Sequence, residues 1–184
     1  TSIIGDEEKT AFKPIVKSNR QTEEDIRQSG LDCVIGRNGI YIEPDLEYLD
    51  AYIKEGEIRN CAGDGKCGYT SRDELAFAYT QMLLQDKHNG QIYNLVGEPI
   101  TQTQLAELIN QEFNTNLKFN SIPVNEYEKE RKAELGDFIG TVIAGIYHGI
   151  RKGVNDVPSD FKKAAGRPHK APVEMIKSFK KNII

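Results

Sequence analysis

The stretch Ser29-Gly30-Leu31-Asp32-Cys33-Val34-Ile35-Gly36-Arg37-Asn38-Gly39-Ile40-Tyr41 constrains this chain more than any other. A polar helix, read over Ser18 to Ser29 with Ile26 among its few apolar contacts, stops at Gly30, which suits a left-handed C-cap. A short apolar strand, read over Leu31 to Ile35, follows and runs out into Arg-Asn-Gly-x-Tyr. A helix that feeds a buried strand with a polar end is the repeating unit of an open α/β sheet. In such sheets ligands lie beyond the carboxyl ends of the strands. Arg37, Asn38, Gly39 and Tyr41 are therefore candidate site residues.

The rest of the chain repeats the alternation. Pro44 to Glu55 reads as a helix carrying Leu46, Leu49 and Ile53 at helical spacing, with Pro44 in its first turn and Gly56 at its end. Glu57 to Cys61 reads as extended. Ser71-x-x-Glu74 is a capping box that opens an apolar helix through Leu75, Ala76, Ala78, Tyr79, Met82 and Leu83. Asn89-Gly90 turns into a strand over Gln91 to Val96. Thr101-x-x-Gln104 opens a further helix through Leu105, Leu108, Ile109 and Phe113. A strand over Leu117 to Ile122 and a charged helix over Asn125 to Leu135 come next. Phe138 to Ile150, interleaved with Gly140, Gly145 and Gly149, is a helix whose small residues permit close approach, or a pocket wall. Ser159 to Ala165 is a short helix stopped by Gly166, and Val173 to Lys181 is a last amphipathic one. The pattern predicts an α/β fold: a doubly wound parallel sheet with a small, mostly helical C-terminal lobe. The division falls at residues 1–100 and 101–184.

Composition narrows the classes of function. The 184 residues are 38% hydrophobic and 28% charged, with a formal net charge of -4 and the two signs interspersed, so there is no basic footprint for nucleic acid. No apolar run approaches the roughly 20 residues needed to cross a bilayer. Cys33, Cys61 and Cys67 contain no Cys-x-x-Cys pair, and no metal site is expected. Cys33 reads as a small buried hydrophobe. Cys61 and Cys67 flank a glycine turn and could face one another across a hairpin. A reducing, cytoplasmic setting fits this usage.

Gly63-Asp64-Gly65-Lys66-Cys67-Gly68 has the G-x-G-x-x-G spacing of a dinucleotide fingerprint, but the following helix opens beyond its last glycine, at Ser71. A fingerprint needs that glycine inside the first turn of the helix that faces pyrophosphate. The run is therefore read as a hairpin turn. His88 borders a turn and is read as solvated, and His169 lies in a Pro-flanked loop. His148 lies in the glycine-rich helix, either packed or lining a cavity as a substrate contact. No G-x-S-x-G elbow and no P-loop lysine pattern occur, so hydrolase and NTPase chemistry lack a nucleophile or a phosphate cradle. Asn38 offers both a donor and an acceptor, suited to a carboxamide or ribose hydroxyl. Gly39 lets a ring approach the backbone, and Tyr41 can stack or donate. The alternative is a strand-end turn in which Arg37 pairs with an acidic side chain such as Asp73, with Arg72-Asp73 tying the next helix to that turn.

The order of several motifs is similar to that of one family. Thr22-Glu23-Glu24, Ile26-Arg27-Gln28-Ser29-Gly30-Leu31-Asp32 and Arg37-Asn38-Gly39-x-Tyr41 come first. Ala62-Gly63-Asp64-Gly65-Lys66, Arg72-Asp73-Glu74-Leu75-Ala76, Tyr93-Asn94-Leu95-Val96-Gly97 and Gly166-Arg167-Pro168 follow. Together they resemble atypical short-chain dehydrogenase/reductases of the NmrA-like group, above all bacterial NAD(P)H:quinone oxidoreductases. The resemblance implies a Rossmann-like domain whose phosphate-binding loop precedes Thr1, so that the chain is the later part of a longer protein. By itself it would then expose a sheet edge, which predicts poor solubility. The resemblance places Thr1, Ser2, Arg37, Asn38 and Gly39 beside an NADPH or NADH cofactor, and Tyr41 and His148 toward a small quinone-like substrate. A homodimer is a further expectation.

The family's wider relatives use a Tyr-x-x-x-Lys pair and a serine as acid and ribose anchor. The positions counted to match are Ile15, Asn19 and Ile3, with Lys17 out of register. Quinone reduction tolerates that loss, since hydride passes to an electron-poor ring and the oxyanion can take a proton from water. A dinucleotide-sensing regulator without turnover is the alternative, and a sugar-nucleotide epimerase relative the third.

Overall fold

The computed structural model describes residues 1–6, 9 and 13–183. In chain order its elements are β1 (Ser2–Ile3), α1 (Lys13–Gln28), β2 (Ile35–Asn38), α2 (Glu43–Glu47), α3 (Leu49–Glu55), β3 (Glu57–Asn60), β4 (Lys66–Gly68) and α4 (Arg72–Leu83). They continue as β5 (Ile92–Leu95), β6 (Pro99–Thr101), α5 (Gln102–Phe113), β7 (Lys118–Ser121), α6 (Val124–Leu135), α7 (Asp137–Arg151), α8 (Phe161–Ala165) and α9 (Pro172–Ile183). Strands β1, β2 and β5 form a parallel sheet in the order β1-β2-β5, with Ser2 opposite Arg37 and Arg37 opposite Asn94. β3 pairs with β7 in parallel and β4 with β6 antiparallel, so the β3–β7 pair joins residues on either side of position 100. This is a mixed α/β fold with parallel strands.

Local chemistry explains the elements that the sequence marks clearly. Thr101 accepts from the Gln104 backbone at 3.2 Å while the Gln104 side chain accepts from the Thr101 backbone at 2.9 Å, a complete capping box. At Ser71 only half the box forms. The hydroxyl accepts from the Glu74 amide at 3.2 Å, but the Glu74 carboxylate turns away to Arg167 in two 2.7 Å bonds. Gly30, Gly56 and Gly166 take the left-handed conformation that ends their helices.

Several expectations need correction. The strand read over Leu31 to Ile35 lies further on, at Ile35–Asn38. Leu31 is 72% exposed, Cys33 is only half-buried, and pairing begins where Ile35 meets Ile92. The residue that fits deepest there is Gly36, because a side chain would strike the Tyr79 hydroxyl and Leu95. The polar helix starts at Lys13 rather than Ser18, with Pro14 in its opening turn. The helix read over Pro44 to Glu55 breaks at Tyr48, whose backbone is not helical. The Gly63–Gly68 run is a turn but not a hairpin, since β3 and β4 pair with different strands. Cys61 and Cys67 accordingly do not face each other across a ladder. Both are free and buried, and burial pushes the Cys61 thiol up to about 11.

The largest apolar cluster packs Ile42, Leu46, Leu49, Ile58, Tyr69, Leu105, Ile109, Ile150 and Ile176 together, so α2, α3, α5, α7 and α9 share one core. A second joins α4 and α8 to β5 through Leu75, Ala78, Met82, Leu95 and Phe161. His88, read as solvated, is in fact 1% exposed, with Nδ1 2.9 Å from the Tyr93 hydroxyl. Burial, with the nearby Lys87 charge, lowers its pKa and so favours the neutral ring. No helix among the described residues is long and apolar enough to cross a membrane.

Candidate functional site

The carboxyl ends of β1 and β2 open onto a cleft closed on its far side by α7. One compartment, 430 Å³, is lined by Thr1, Ser2, Asn19, Asn38, Gly39, Tyr41 and Asp45, with Ile143, Ile146 and Tyr147 from α7. A second compartment, 220 Å³, adjoins it and shares Ile3, Asn38, Gly39, Ile40 and Ile146, adding Ile15, Val142 and Gly149. Small-molecule sites are concave, mostly apolar and carry a few convergent polar groups, and the cleft has that character. Ile15 and Asn19, the positions counted to the missing Tyr-x-x-x-Lys pair, both stand in its walls.

Asn38 and Tyr41 emerge together. The Asn38 amide donates to the Tyr41 hydroxyl at 3.1 Å, and its carbonyl accepts from the Tyr79 hydroxyl at 2.7 Å. Tyr79 reaches over from α4 and also donates toward the Gly36 carbonyl at 3.0 Å, while burial pushes its own pKa up. The amide is thus held at both ends, with a second N–H left to offer. Gly39 must be glycine for a reason other than ligand approach. A Cβ there would meet the Gly68 carbonyl at 2.7 Å and Val96 at 2.8 Å, so the requirement comes from the neighbouring strands.

Arg37, next along the strand, projects the other way, as alternation demands. It binds Glu23 of α1 in a two-point contact at 2.9 and 2.5 Å, so its partner is Glu23 and not Asp73. Glu23, 4% exposed, also accepts from Ser2 at 2.6 Å and Arg20 at 2.6 Å. Burial pushes this carboxyl up, but the hydrogen bonds from Arg37 and Ser2 and the charges of Arg20 and Arg37 outweigh it and hold it at about 2. Ser2 lines the cleft with its hydroxyl committed to Glu23, and Thr1 lines it from an exposed position. Asp73, an acidic residue in the first turn of α4, makes no side-chain hydrogen bond or ion pair among the described residues that would tie this helix to the strand-end turn. Arg72 ties the helix to α2, through its amide to Glu43 at 2.7 Å and its guanidinium to Glu47 at 2.9 Å. His148 is half-buried on α7 but is not among the residues lining either compartment.

The sequence reading missed a buried carboxylate. Asp45, 5% exposed, accepts hydrogen bonds from Tyr52 at 3.0 Å, Tyr69 at 2.9 Å and Tyr147 at 2.6 Å. The signal was present: Ile42, Asp45, Leu46 and Leu49 fall at i, i+3, i+4 and i+7, which sets the aspartate inside the apolar stripe. A second depression, 630 Å³, lies along Gly97–Pro99 and Asp156–Ser159. Its histidine, His169, is already engaged by Thr70 at 3.0 Å and the Lys170 carbonyl at 2.7 Å. Among the described residues no group of three or more His, Cys, Asp or Glu side chains could hold a metal ion.

No family model matches the chain. Among solved structures, an NADPH-dependent quinone oxidoreductase from Escherichia coli, crystallised with NADPH, superposes with a TM-score of 0.86 at 23% identity, covering 97% of this chain and 64% of that one. The chain therefore shares the Rossmann-like fold of that protein. The chain is also similar in sequence to proteins of known name. Quinone oxidoreductase 2 of E. coli strain K12 is 27% identical over 151 residues, 80% of this chain and 53% of that protein. An NmrA-like family domain-containing oxidoreductase of Aspergillus flavus is 28% identical over 114 residues, 61% of this chain and 37% of that protein. These two relatives are thus a quinone oxidoreductase and an NmrA-like oxidoreductase. The chain spans about half, or less, of the length of these curated relatives.

Proposed function

We propose that the chain carries the acceptor-side part of an NAD(P)H-dependent oxidoreductase that passes hydride to a quinone or a similar electron-poor acceptor. In this reading residues 1–100 are the C-terminal part of the dinucleotide-binding domain, and residues 101–184 a mixed, mostly helical lobe on the substrate side. The observation that carries it is the pairing of Asn38 and Tyr41 at the rim of an apolar cleft beyond the parallel strands. That is where open α/β sheets take their ligands. The names of the relatives support the same chemistry.

The residues present fit a nicotinamide. Asn38 retains an N–H for a carboxamide, Gly39 and Ile40 bring backbone to the cleft, and Ile3 and Ile15 give flat apolar walls. A reduced dinucleotide, when bound, supplies the hydride and its two electrons. The chain's own work is to hold two flat rings about 3–3.5 Å apart and to keep water from between them. Arg37, Ser2 and Arg20 serve that work at one remove, by clamping the ends of β1 and β2 to α1 through Glu23. Tyr41 and α7 face the acceptor. A reducing compartment such as the cytoplasm, where free cysteines persist as thiols, belongs to the reading.

Consumption of NADPH or NADH on addition of a benzoquinone, followed by absorbance, tests the proposal. Turnover above background supports it. Tight dinucleotide binding with no turnover by any acceptor contradicts it and favours a dinucleotide-sensing regulator.

A further inference from the structure

Reduction of a carbonyl acceptor leaves an oxyanion, and the position counted to the superfamily's catalytic tyrosine holds Ile15 here. The opposite wall of the cleft supplies a phenol. Tyr147 of α7 lines the larger compartment, and its hydroxyl lies 2.6 Å from Oδ1 of Asp45, which lines the same compartment. Tyr52 and Tyr69 bond the same carboxyl from behind, and neither lines the cleft. The Tyr69 hydroxyl accepts from Gln102 at 2.8 Å, and Gln102 accepts from Asn60 at 2.9 Å. This chain fixes the carboxyl from the side away from the cleft.

The cluster has no cation. Among the described residues Asp45 enters no ion pair, and the titratable groups facing it are Tyr52, Tyr69, Tyr147 and Cys67, with Tyr127 edge-on to Tyr147 at 5.5 Å. Burial of a carboxylate without a countercharge is costly, and taking up a proton relieves the cost. Burial indeed pushes the Asp45 carboxyl up against the pull of its three hydroxyl partners.

We propose that Tyr147 gives the proton to the acceptor's oxygen and that Asp45 restores it; the inference rests on the reductase reading above. Hydride addition, with its two electrons drawn from a reduced nicotinamide dinucleotide, leaves negative charge on that oxygen. With Asp45 protonated, its carboxyl O–H turns to the Tyr147 oxygen and frees the Tyr147 O–H for the acceptor; that O–H bond breaks as the new O–H bond forms on the acceptor. The Tyr147 oxygen takes the carboxyl proton of Asp45 across their hydrogen bond. Asp45 is left as a carboxylate held by the hydroxyls of Tyr52, Tyr69 and Tyr147, and it regains its proton from water once the product departs. Tyr147 is thus the proton donor, and Asp45 acts through it.

Two measurements test the relay. Infrared difference spectra of the ligand-free protein should show a protonated-carboxyl C=O stretch at neutral pH that vanishes in Asp45→Asn and shifts in Tyr147→Phe. Acceptor reduction should then be compared across quinones and carbonyls whose reduced oxyanions differ in basicity. Tyr147→Phe should lose about 10²-fold with the most basic product and far less with the least basic, so the rate comes to depend more steeply on product basicity. Thermal melting of both variants reports any loss of folding separately. Absence of the protonated-carboxyl band, or an equal loss across all acceptors, overturns the relay and leaves the reductase reading standing. Failure of the wild-type protein to reduce any acceptor overturns the reductase reading, and the relay with it.

Discussion

Replacing Glu23 by Gln removes the anion on which Ser2, Arg20 and Arg37 converge. The carboxyl is held at about 2 against an ordinary 4.5, which corresponds to about 3 kcal/mol of stability. Because the folded value is the lower one, that stability is present above the unfolded pKa and is lost as pH falls through the folded one. Urea unfolding of wild type should therefore weaken by about 3 kcal/mol between about pH 5 and pH 2 beyond whatever other carboxylates contribute. Glu74, also lowered, contributes equally in both proteins, so the difference between them isolates Glu23. Glu23→Gln should start about 2–4 kcal/mol less stable at neutral pH, since both arginines lose their countercharge, and should converge on wild type as the acid limit is approached. Parallel stability curves for the two proteins across that window would refute the reasoning.

Other outcomes follow from the same contacts. Gly39→Ala should cost about 1–3 kcal/mol in urea unfolding, because its methyl would meet the Gly68 carbonyl and Val96. Thr101→Ala should cost about 1 kcal/mol, the worth of an N-cap, and Thr101→Ser much less, as read by thermal melting. An aromatic disulfide reagent should label Cys33 rapidly, and Cys61 and Cys67 only on the timescale of unfolding, because the latter two thiols are buried and pushed toward their neutral forms.

Much of the fold was legible because its signals are local. A capping box, a C-cap glycine or an apolar stripe is encoded within a few residues, and the helices opened by Arg72 and Gln102 lie where Ser71 and Thr101 put them. Register was less legible. Leu31 to Val34 are apolar enough for a strand, yet the place of pairing is decided by Gly36 under Tyr79, a contact made 43 residues away in sequence. The pairing of β3 with β7 and of β4 with β6 leaves no periodic trace, so the Gly63–Gly68 run invited a hairpin. Within the site, Asn38 and Tyr41 were found because polar residues at a strand end are conspicuous. Glu23 and Asp45 were hidden because each looks like an ordinary surface acid of a helix until its distant partners are known. Asp45 alone left a clue, its phase within the stripe of Ile42, Leu46 and Leu49.

The central claim concerns a place: the cleft between the ends of β1 and β2 and the face of α7. Methyl-labelled isoleucines make it measurable, since Ile3, Ile15, Ile40 and Ile146 all line it. With reduced or oxidised nicotinamide dinucleotide added, nuclear Overhauser contacts should run from the nicotinamide ring protons to Ile15 and Ile40, and a quinone added alongside should contact Ile146. Absence of contacts from the nicotinamide ring or the quinone to any of these four methyl groups at saturating ligand would contradict the account.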